Sequence, residues 1–221
     1  MSPAFPRALR IFLLLSGGAL VVLSLRPLLE AVAGPGVPVM WWAARATGLL
    51  AVVALWLSVV FGVFMAGRGA GGLLPKPAVA LLHARWAVAA QVATALHALC
   101  VVADPMSGVT PLAVALPLAS ATLTGPVALG TLALWGVVVL LVTTALARRL
   151  SKTVWRASHA SAFGTFLLAT VHGASAGSDA ATPAVRGLFV ITSALLVAAI
   201  VQRLLLARRT ARLTLDPGDR S

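Results

Sequence analysis

The stretch that decides the fold is 151–179, SKTVWRASHASAFGTFLLATVHGASAGSD. It starts with basic residues, continues as an apolar run and contains two of the four histidines in the chain, His159 and His172. A second apolar stretch, 79–104, VALLHARWAVAAQVATALHALCVVAD, contains the other two. At about 1.5 Å of rise per residue, either stretch can cross the ~30 Å hydrocarbon core of a bilayer as a helix. The sequence therefore predicts two membrane helices that each carry a histidine near either end.

The composition is that of a membrane protein. The 221 residues are 60% hydrophobic and 10% charged, and the mean hydropathy of +1.02 is too high for a water-soluble domain of this length. The net charge of +12 does not indicate a nucleic-acid-binding protein, because the charges form short clusters between apolar runs, as in the loops of membrane proteins. The single cysteine, Cys100, excludes an intramolecular disulfide and a CxxC redox or zinc site.

Six apolar segments predict an all-α integral membrane protein, in which residues 1–221 form a single six-transmembrane-helix bundle within the lipid bilayer. The predicted helices span about 8–29, 42–66, 78–103, 126–147, 154–176 and 184–206, and a short basic tail follows at 207–221. Between the third and fourth predicted helices, residues 104–126 are interrupted by prolines and too short to span. They predict a surface or re-entrant lid.

Lysine and arginine are distributed unequally between the two sides of the predicted bundle. Of the 17 Lys and Arg residues, all except Arg26, Arg45 and Arg186 fall on one side. That side comprises the N-terminus, the second and fourth connections with the adjoining helix starts, and the C-terminal tail. The positive-inside rule therefore predicts that both termini are cytoplasmic. We expect a multi-pass protein of the inner (plasma) membrane.

The four histidines fall into two pairs by depth. One helix separates the third predicted helix from the fifth, so these two helices run in the same direction across the membrane. His83 and His159 then lie near the cytoplasmic ends of their helices, and His97 and His172 lie near the outer ends. We expect His83 to pair with His159, and His97 to pair with His172.

The two spacings along the helices differ in their geometry. The 14 residues from His83 to His97 give about 21 Å of rise and bring the rings within ~40° of one seam. The 13 residues from His159 to His172 leave the rings roughly 140° apart on a straight helix. The fifth predicted helix therefore needs a bend, a local π or 3₁₀ turn, or rings that approach from different flanks. Gly164 would allow part of such an adjustment.

Paired histidines at two depths suit two stacked hemes. Neutral imidazole is a good axial ligand of heme iron, and two imidazoles give a low-spin iron suited to electron transfer. A bulky heme needs small neighbours, and Ala, Gly, Ser and Thr surround all four histidines. Heme propionates need cations or hydrogen-bond donors. The candidates are Arg85, Lys152 and Arg156 on the cytoplasmic side, and Arg45 and Arg186 on the outer side.

Three other interpretations compete with heme binding. A polar residue in a membrane helix can serve only as a hydrogen-bonded contact between helices, but that would not explain four histidines matched in depth. A single four-histidine metal site is disfavoured because ~20 Å separates the two levels. A transporter is disfavoured because the five acidic residues all lie at helix ends or in the tail. A heme-free membrane scaffold stays open as an alternative.

The chain resembles the ferric reductase-like transmembrane domain. This is the heme-binding bundle of ferric reductases, NADPH oxidases and the membrane subunit of the bacterial periplasmic methionine sulfoxide reductase system. Three motifs carry the resemblance, and together they cover most of the chain. They are WWAARATGLLAV at 41–52, LLHARWAVAAQVATALHALCVVADP at 81–105, and WRASHASAFGTFLLATVHGASAGSD at 155–179. The family also has the 13-residue histidine spacing.

The resemblance implies that His83, His97, His159 and His172 are axial ligands of two b-type hemes. It also implies that electrons pass from a cytoplasmic donor through both hemes to an external acceptor, such as ferric iron or a periplasmic redox partner. Only about 15 residues follow the sixth predicted helix, and no GxGxxG fingerprint occurs. We therefore expect an oxidoreductase component without its own flavin or nicotinamide domain. Its donor would be a separate flavoprotein, free reduced FMN or FAD, or membrane quinol. The runner-up is a quinol-linked cytochrome b subunit of a larger complex.

Overall fold

A computed structural model describes residues 24–34, 36–66 and 74–215 of the chain, without the side chains of 66, 203 and 206–215. Within these ranges the chain forms helices and no strand, so the all-α prediction is confirmed. The helices are α1 (24–33), α2 (Val39–Ala66), α3 (Lys76–Ala103), α4 (Pro111–Ala115), α5 (Thr124–Ala145), α6 (Lys152–Ala176) and α7 (Pro183–Leu215). Most of the first predicted helix, 8–29, lies outside the described residues.

The second to sixth predicted helices correspond to α2, α3, α5, α6 and α7, with ends that differ by a few residues. The exception is α7, which continues to Leu215 and so includes much of the predicted basic tail. Leucine, alanine and arginine dominate this last part of α7. All three have high helix propensity, so the helix continues after the apolar run has ended.

Four of the described helices are long and apolar enough to cross a membrane: Val39–Met65, Lys76–Ala103, Thr124–Ala145 and Pro183–Gln202. The 25 residues of α6 are also long enough, but its two histidines and its serines and threonines reduce its hydropathy. Many large apolar side chains on the outside of the bundle are exposed, as lipid-facing residues are. The chain is therefore a multi-pass membrane protein.

Two antiparallel helix pairs build the bundle. Helix α2 packs along α3, α5 packs along α6, and α2 also contacts α6 and α7. The core between them includes Val52, Leu55, Ala90, Phe166 and Phe189. Because α2 packs against both α3 and α6, it helps to hold the two histidine-bearing helices near each other.

Most of the predicted lid, 104–126, corresponds to the connection between α3 and α5, residues 104–123, which includes the short helix α4. The Thr110 hydroxyl caps α4 by accepting a hydrogen bond from the Ala113 amide. Two side chains of α5 fasten α4: the Thr131 hydroxyl donates to the Ala113 carbonyl at 2.8 Å, and Trp135 Nε1 donates to the Ala115 carbonyl at 2.9 Å. This segment does not span the bundle.

Candidate functional site

The four histidines meet in two pairs. The ring centroids of His83 and His159, here called the first pair, are 5.9 Å apart, with ring planes at 70°. The centroids of His97 and His172, the second pair, are 6.1 Å apart, with ring planes at 72°. The structure therefore brings together the same partners that helix direction and depth predict.

The separation within each pair is compatible with a metal between the rings. Two imidazoles bound on opposite sides of one metal, with metal–nitrogen bonds of about 2.0–2.1 Å, have centroids roughly 6 Å apart. An edge-to-face contact between two free aromatic rings falls in the same range. The hydrogen bonds of the rings are more informative than this distance.

Three of the histidines bond to a main-chain carbonyl of a neighbouring helix. The bonds run from Nδ1 of His83 to Ser58 on α2, from Nδ1 of His97 to Ala44 on α2, and from Nδ1 of His172 to Pro126 on α5, each at 2.8 Å. A carbonyl can only accept, so Nδ1 carries the hydrogen and Nε2 keeps its lone pair. Metal-binding histidines almost always have this arrangement, because it fixes both the tautomer and the ring orientation.

A glycine follows each of these three carbonyls by one helical turn. A Cβ at Gly130 would lie 2.7 Å from Nδ1 and Cε1 of His172, and one at Gly48 would lie 2.9 Å from Nδ1 of His97. At Gly62 the nearest atom would be Cε1 of His83, at 3.3 Å. We call each carbonyl with its glycine a carbonyl–glycine seat. The missing side chain lets the imidazole approach the helix closely enough to reach the carbonyl.

The two seats on α2 share the period of the histidines on α3. Ala44 and Ser58 are separated by 14 residues, as are His83 and His97. In an antiparallel helix pair with constant register, equal steps along both helices bring equivalent positions together, so the same seat recurs at both levels. Sequence analysis missed these seats, although two glycines 14 residues apart inside an apolar helix are a detectable signal, because glycine is unfavourable there.

His159 differs from the other three histidines. Its Nδ1 is buried and has no hydrogen-bond partner among the described residues. Its ring instead stacks on Trp155, one turn earlier in α6, with centroids 4.9 Å apart and planes at 14°. Nothing in this contact selects which ring nitrogen carries the hydrogen. Sequence analysis did not identify Trp155 as a site residue.

The geometry of α6 explains why the seat is not repeated for His159. Helix α6 is a continuous α-helix over Lys152–Ala176, so the local π or 3₁₀ turn that the sequence allowed does not occur. On a continuous straight helix, 13 residues turn His159 about 140° away from His172. On α5, thirteen residues beyond Pro126 and Gly130 come Val139 and Thr143. There the Thr143 hydroxyl itself donates to the Val139 carbonyl, at 2.7 Å.

The second pair lines an apolar cavity between α2, α3, α5, α6, α7 and the segment before α5. Its walls contain His97 and His172 and neither histidine of the first pair. Most of the wall is aliphatic or glycine, with a few polar groups that include Arg45 and Asp179. An apolar chamber with few convergent polar groups is typical of a site for a bulky cofactor or ligand.

Arg45, a predicted propionate partner, lies in the wall of this cavity and already binds a carboxylate. Its Nε donates to Oδ2 of Asp179 at 2.6 Å, and its Nη2 donates to Oδ1. This two-bond contact ties α2 to the turn after α6, and it shows that the guanidinium presents a carboxylate-binding fork at the second pair. Asp179 was not a predicted site residue, and an acidic residue just after α6 was the only signal for it.

Arg85 and Arg156, two more of the predicted propionate partners, lie on the side of the first pair. Arg85 follows His83 by two residues, and Arg156 precedes His159 by three. Both side chains are exposed. In the part of the chain that the structure describes, neither forms a salt bridge. Each lies within three residues of a first-pair histidine along its helix, so both place positive charge at that end of the bundle.

The site residues fit a heme better than a bare metal ion. Among the described residues, no group of three or more His, Cys, Asp or Glu side chains could hold a metal ion. An ion bound by two imidazoles needs further ligands from elsewhere, and a porphyrin supplies four nitrogens between two axial positions. The Nε2 lone pairs of the second pair, whose direction is fixed by the seats, would fill those two axial positions.

The fold and the site define a class: an all-helical, multi-pass membrane protein with two histidine pairs between two helices. The chain belongs to the family described as a domain of unknown function, DUF8596, whose model matches residues 39–179. The matched region runs from the first residue of α2 to Asp179 and so includes both histidine pairs and all three seats. No curated protein and no solved structure matches the chain.

Proposed function

We propose that the protein is a dihemic b-type membrane cytochrome that moves electrons across the bilayer. The observation that carries the proposal is the tautomer of three histidines, whose Nδ1 donates to a carbonyl so that Nε2 is free to bind iron. Heme bound at each pair would supply a reversible one-electron iron centre. The first pair would hold one heme and the second pair the other.

The resemblance to the ferric reductase-like transmembrane domain supports this proposal. It rests on the three motifs at 41–52, 81–105 and 155–179, which contribute all four histidines and the seat glycine Gly48. The expected axial ligands of the family are the residues that form the two pairs. The resemblance also favours electron transfer over a heme-free scaffold, in which four histidines would have no reason to meet at two depths.

The side chains around each pair would orient the imidazoles, limit the access of water and bind the heme propionates. The seats orient the imidazoles, so little reorganisation is needed when the iron changes its charge. The largely aliphatic cavity wall would limit the access of water to the second pair. Arg45 would stay paired with Asp179 and donate its remaining N–H groups to a propionate, and the exposed Arg85 and Arg156 would serve the first pair.

The proposed topology has six spans, the first of them near residues 8–29, with both termini in the cytoplasm. The first pair then lies on the cytoplasmic side and the second on the outer side, about 21 Å apart in helix rise. Electrons would enter from a separate flavoprotein, reduced FMN or FAD, or quinol. They would leave to ferric iron or a periplasmic redox partner. A quinol-linked cytochrome b subunit of a larger complex is the alternative within the same chemistry.

The test is a dithionite-reduced minus oxidised spectrum of purified protein, with a pyridine hemochrome count per chain. We expect two b-type hemes in the wild type and about one in His97→Ala, because one axial ligand of the second pair is lost. Val88→Ala is the matched control on the same helix, since the Val88 side chain is exposed on the outside of the bundle. A colourless wild type made with ample heme would overturn the proposal and leave the scaffold.

A further inference from the structure

We propose that His159 is the exchangeable ligand of the two histidine pairs. This inference rests on the proposed function. The first pair opens reversibly on its His159 side and accepts a small neutral π-acceptor such as carbon monoxide, whereas the second pair keeps both imidazoles. In the exchange the bond between Nε2 of His159 and iron breaks, and the added ligand forms a bond in its place. The imidazole leaves as a neutral group, and no electron is transferred.

The first reason is the way the rings are held. His83, His97 and His172 each remain bonded to a main-chain carbonyl at 2.8 Å whether or not their Nε2 binds iron. A seated ring that dissociates therefore stays aimed at the metal. Because its effective concentration at the metal stays high, it rebinds at once. His159 has no such bond among the described residues, so its ring can turn away.

The second reason is the cost of the ligated state at this position. When Nε2 of His159 binds iron, the hydrogen must be on Nδ1. That Nδ1–H is buried and has no acceptor in the described part of the chain, which costs free energy. Turning the ring away relieves this cost by letting the N–H reach an acceptor. The three seated histidines gain no such relief, because their N–H groups already have an acceptor.

The third reason is the tautomer. Either ring nitrogen of an unbonded neutral histidine can carry the hydrogen. The form with hydrogen on Nε2 cannot bind iron, and nothing near His159 selects against it. In the other three histidines the seat carbonyl accepts the Nδ1 hydrogen, which excludes the tautomer with hydrogen on Nε2. His159 is thus the only one of the four that can leave the iron in a stable non-binding tautomer.

Trp155 is the positioning residue that limits the dissociation of His159 from the iron. Its stacked contact, with centroids 4.9 Å apart and planes at 14°, limits how far the His159 ring can turn away. Loss of the indole removes this restraint. Phenylalanine keeps an aromatic face at the same position, so Trp155→Phe is the conservative comparison for Trp155→Ala.

The experiment adds carbon monoxide to dithionite-reduced protein and measures the fraction of heme that changes its spectrum. In the wild type we expect about half of the heme to react, since one of the two irons opens. The double variant His97→Ala with His172→Ala should keep the first-pair heme and react fully. The double variant His83→Ala with His159→Ala should keep the second-pair heme and not react. Trp155→Ala should speed the reaction several-fold, and Trp155→Phe should stay close to the wild type.

The heme count separates the two proposals. Protein without heme overturns the dihemic cytochrome and, with it, the exchange at His159. Protein with two hemes that does not react with carbon monoxide overturns the exchange alone. So does a reaction that survives loss of the first pair and disappears with loss of the second.

Discussion

Single residues on α2 and α5, outside the histidine-bearing helices, set the orientation of three of the four imidazoles. Each seat needs a carbonyl as hydrogen-bond acceptor and a glycine one turn later, where any side chain would touch the ring. Glycine inside a helix costs stability relative to alanine. At Gly48, Gly62 and Gly130 this cost is offset by a buried histidine N–H that finds its acceptor.

Alanine at Gly130 should disturb the second pair. The added Cβ would lie 2.7 Å from the His172 ring, so we expect a destabilisation of about 1–3 kcal/mol and loss of part of the second heme. Thermal unfolding in detergent and heme per chain measure the two effects. Gly164→Ala is the matched control, because nothing lies within 4 Å of a Cβ there; it should stabilise by roughly 0.5–1 kcal/mol. Equal behaviour of the two variants would show that the close approach at Gly130 is unimportant.

At the level of helices, the bundle consists of two antiparallel helix pairs joined by a few polar contacts. The α2–α3 pair repeats its seat at two depths because its register is constant over 14 residues. The α5–α6 pair has one seat only, because the 13-residue spacing turns His159 to another flank. The Arg45–Asp179 contact joins α2, in one pair, to the turn after α6, in the other.

Removal of the Asp179 carboxylate should loosen this connection. We expect Asp179→Asn to lower the free energy of unfolding by roughly 1 kcal/mol, because a two-bond ion pair between distant parts of the chain is lost and its side chains are partly exposed. Hydrogen exchange at 177–183 should rise at the same time. Glu30→Gln is the comparison, since it breaks the Arg26–Glu30 pair within one helix and should cost only about 0.3–0.5 kcal/mol. Similar changes in both variants would contradict a tie between the helix pairs.

For the whole molecule, charge asymmetry and the predicted helix count together predict an orientation in the membrane. Ser151 lies in the α5–α6 connection, on the side with most of the positive charge, and Ser178 lies in the α6–α7 connection on the other side. Both residues are exposed. The only cysteine, Cys100, is buried and can be replaced to give a cysteine-free background.

Single cysteines should react on opposite faces of the membrane. In a Cys100→Ala background, we expect Ser178→Cys to react with a membrane-impermeant maleimide in intact cells. Ser151→Cys should react only after the cytoplasmic face is exposed, since the positive-inside rule puts that connection in the cytoplasm. Labelling is read as a mass shift on a gel. Reaction of both cysteines from the same face would mean that α6 does not span the membrane.

Much of the architecture can be predicted from local sequence. Apolar runs long enough to cross a bilayer as a helix predicted the positions of α2, α3, α5, α6 and α7, because a spanning helix needs an unbroken apolar stretch. The end of α7 was missed, because helix propensity continues where hydropathy stops. The two histidine pairs followed from helix direction and rise per residue, both of which depend only on position along the chain.

The sequence by itself determined the helices, the class of protein and which histidines share a depth. Each of these depends on residues close together in the chain or on the regular geometry of a helix. Only the tertiary structure decided which carbonyl each seated imidazole meets, that Arg45 binds Asp179, and that His159 has no seat. These contacts depend on the rotation and register of one helix against another, which are set by packing over the whole interface and not by any one stretch of sequence.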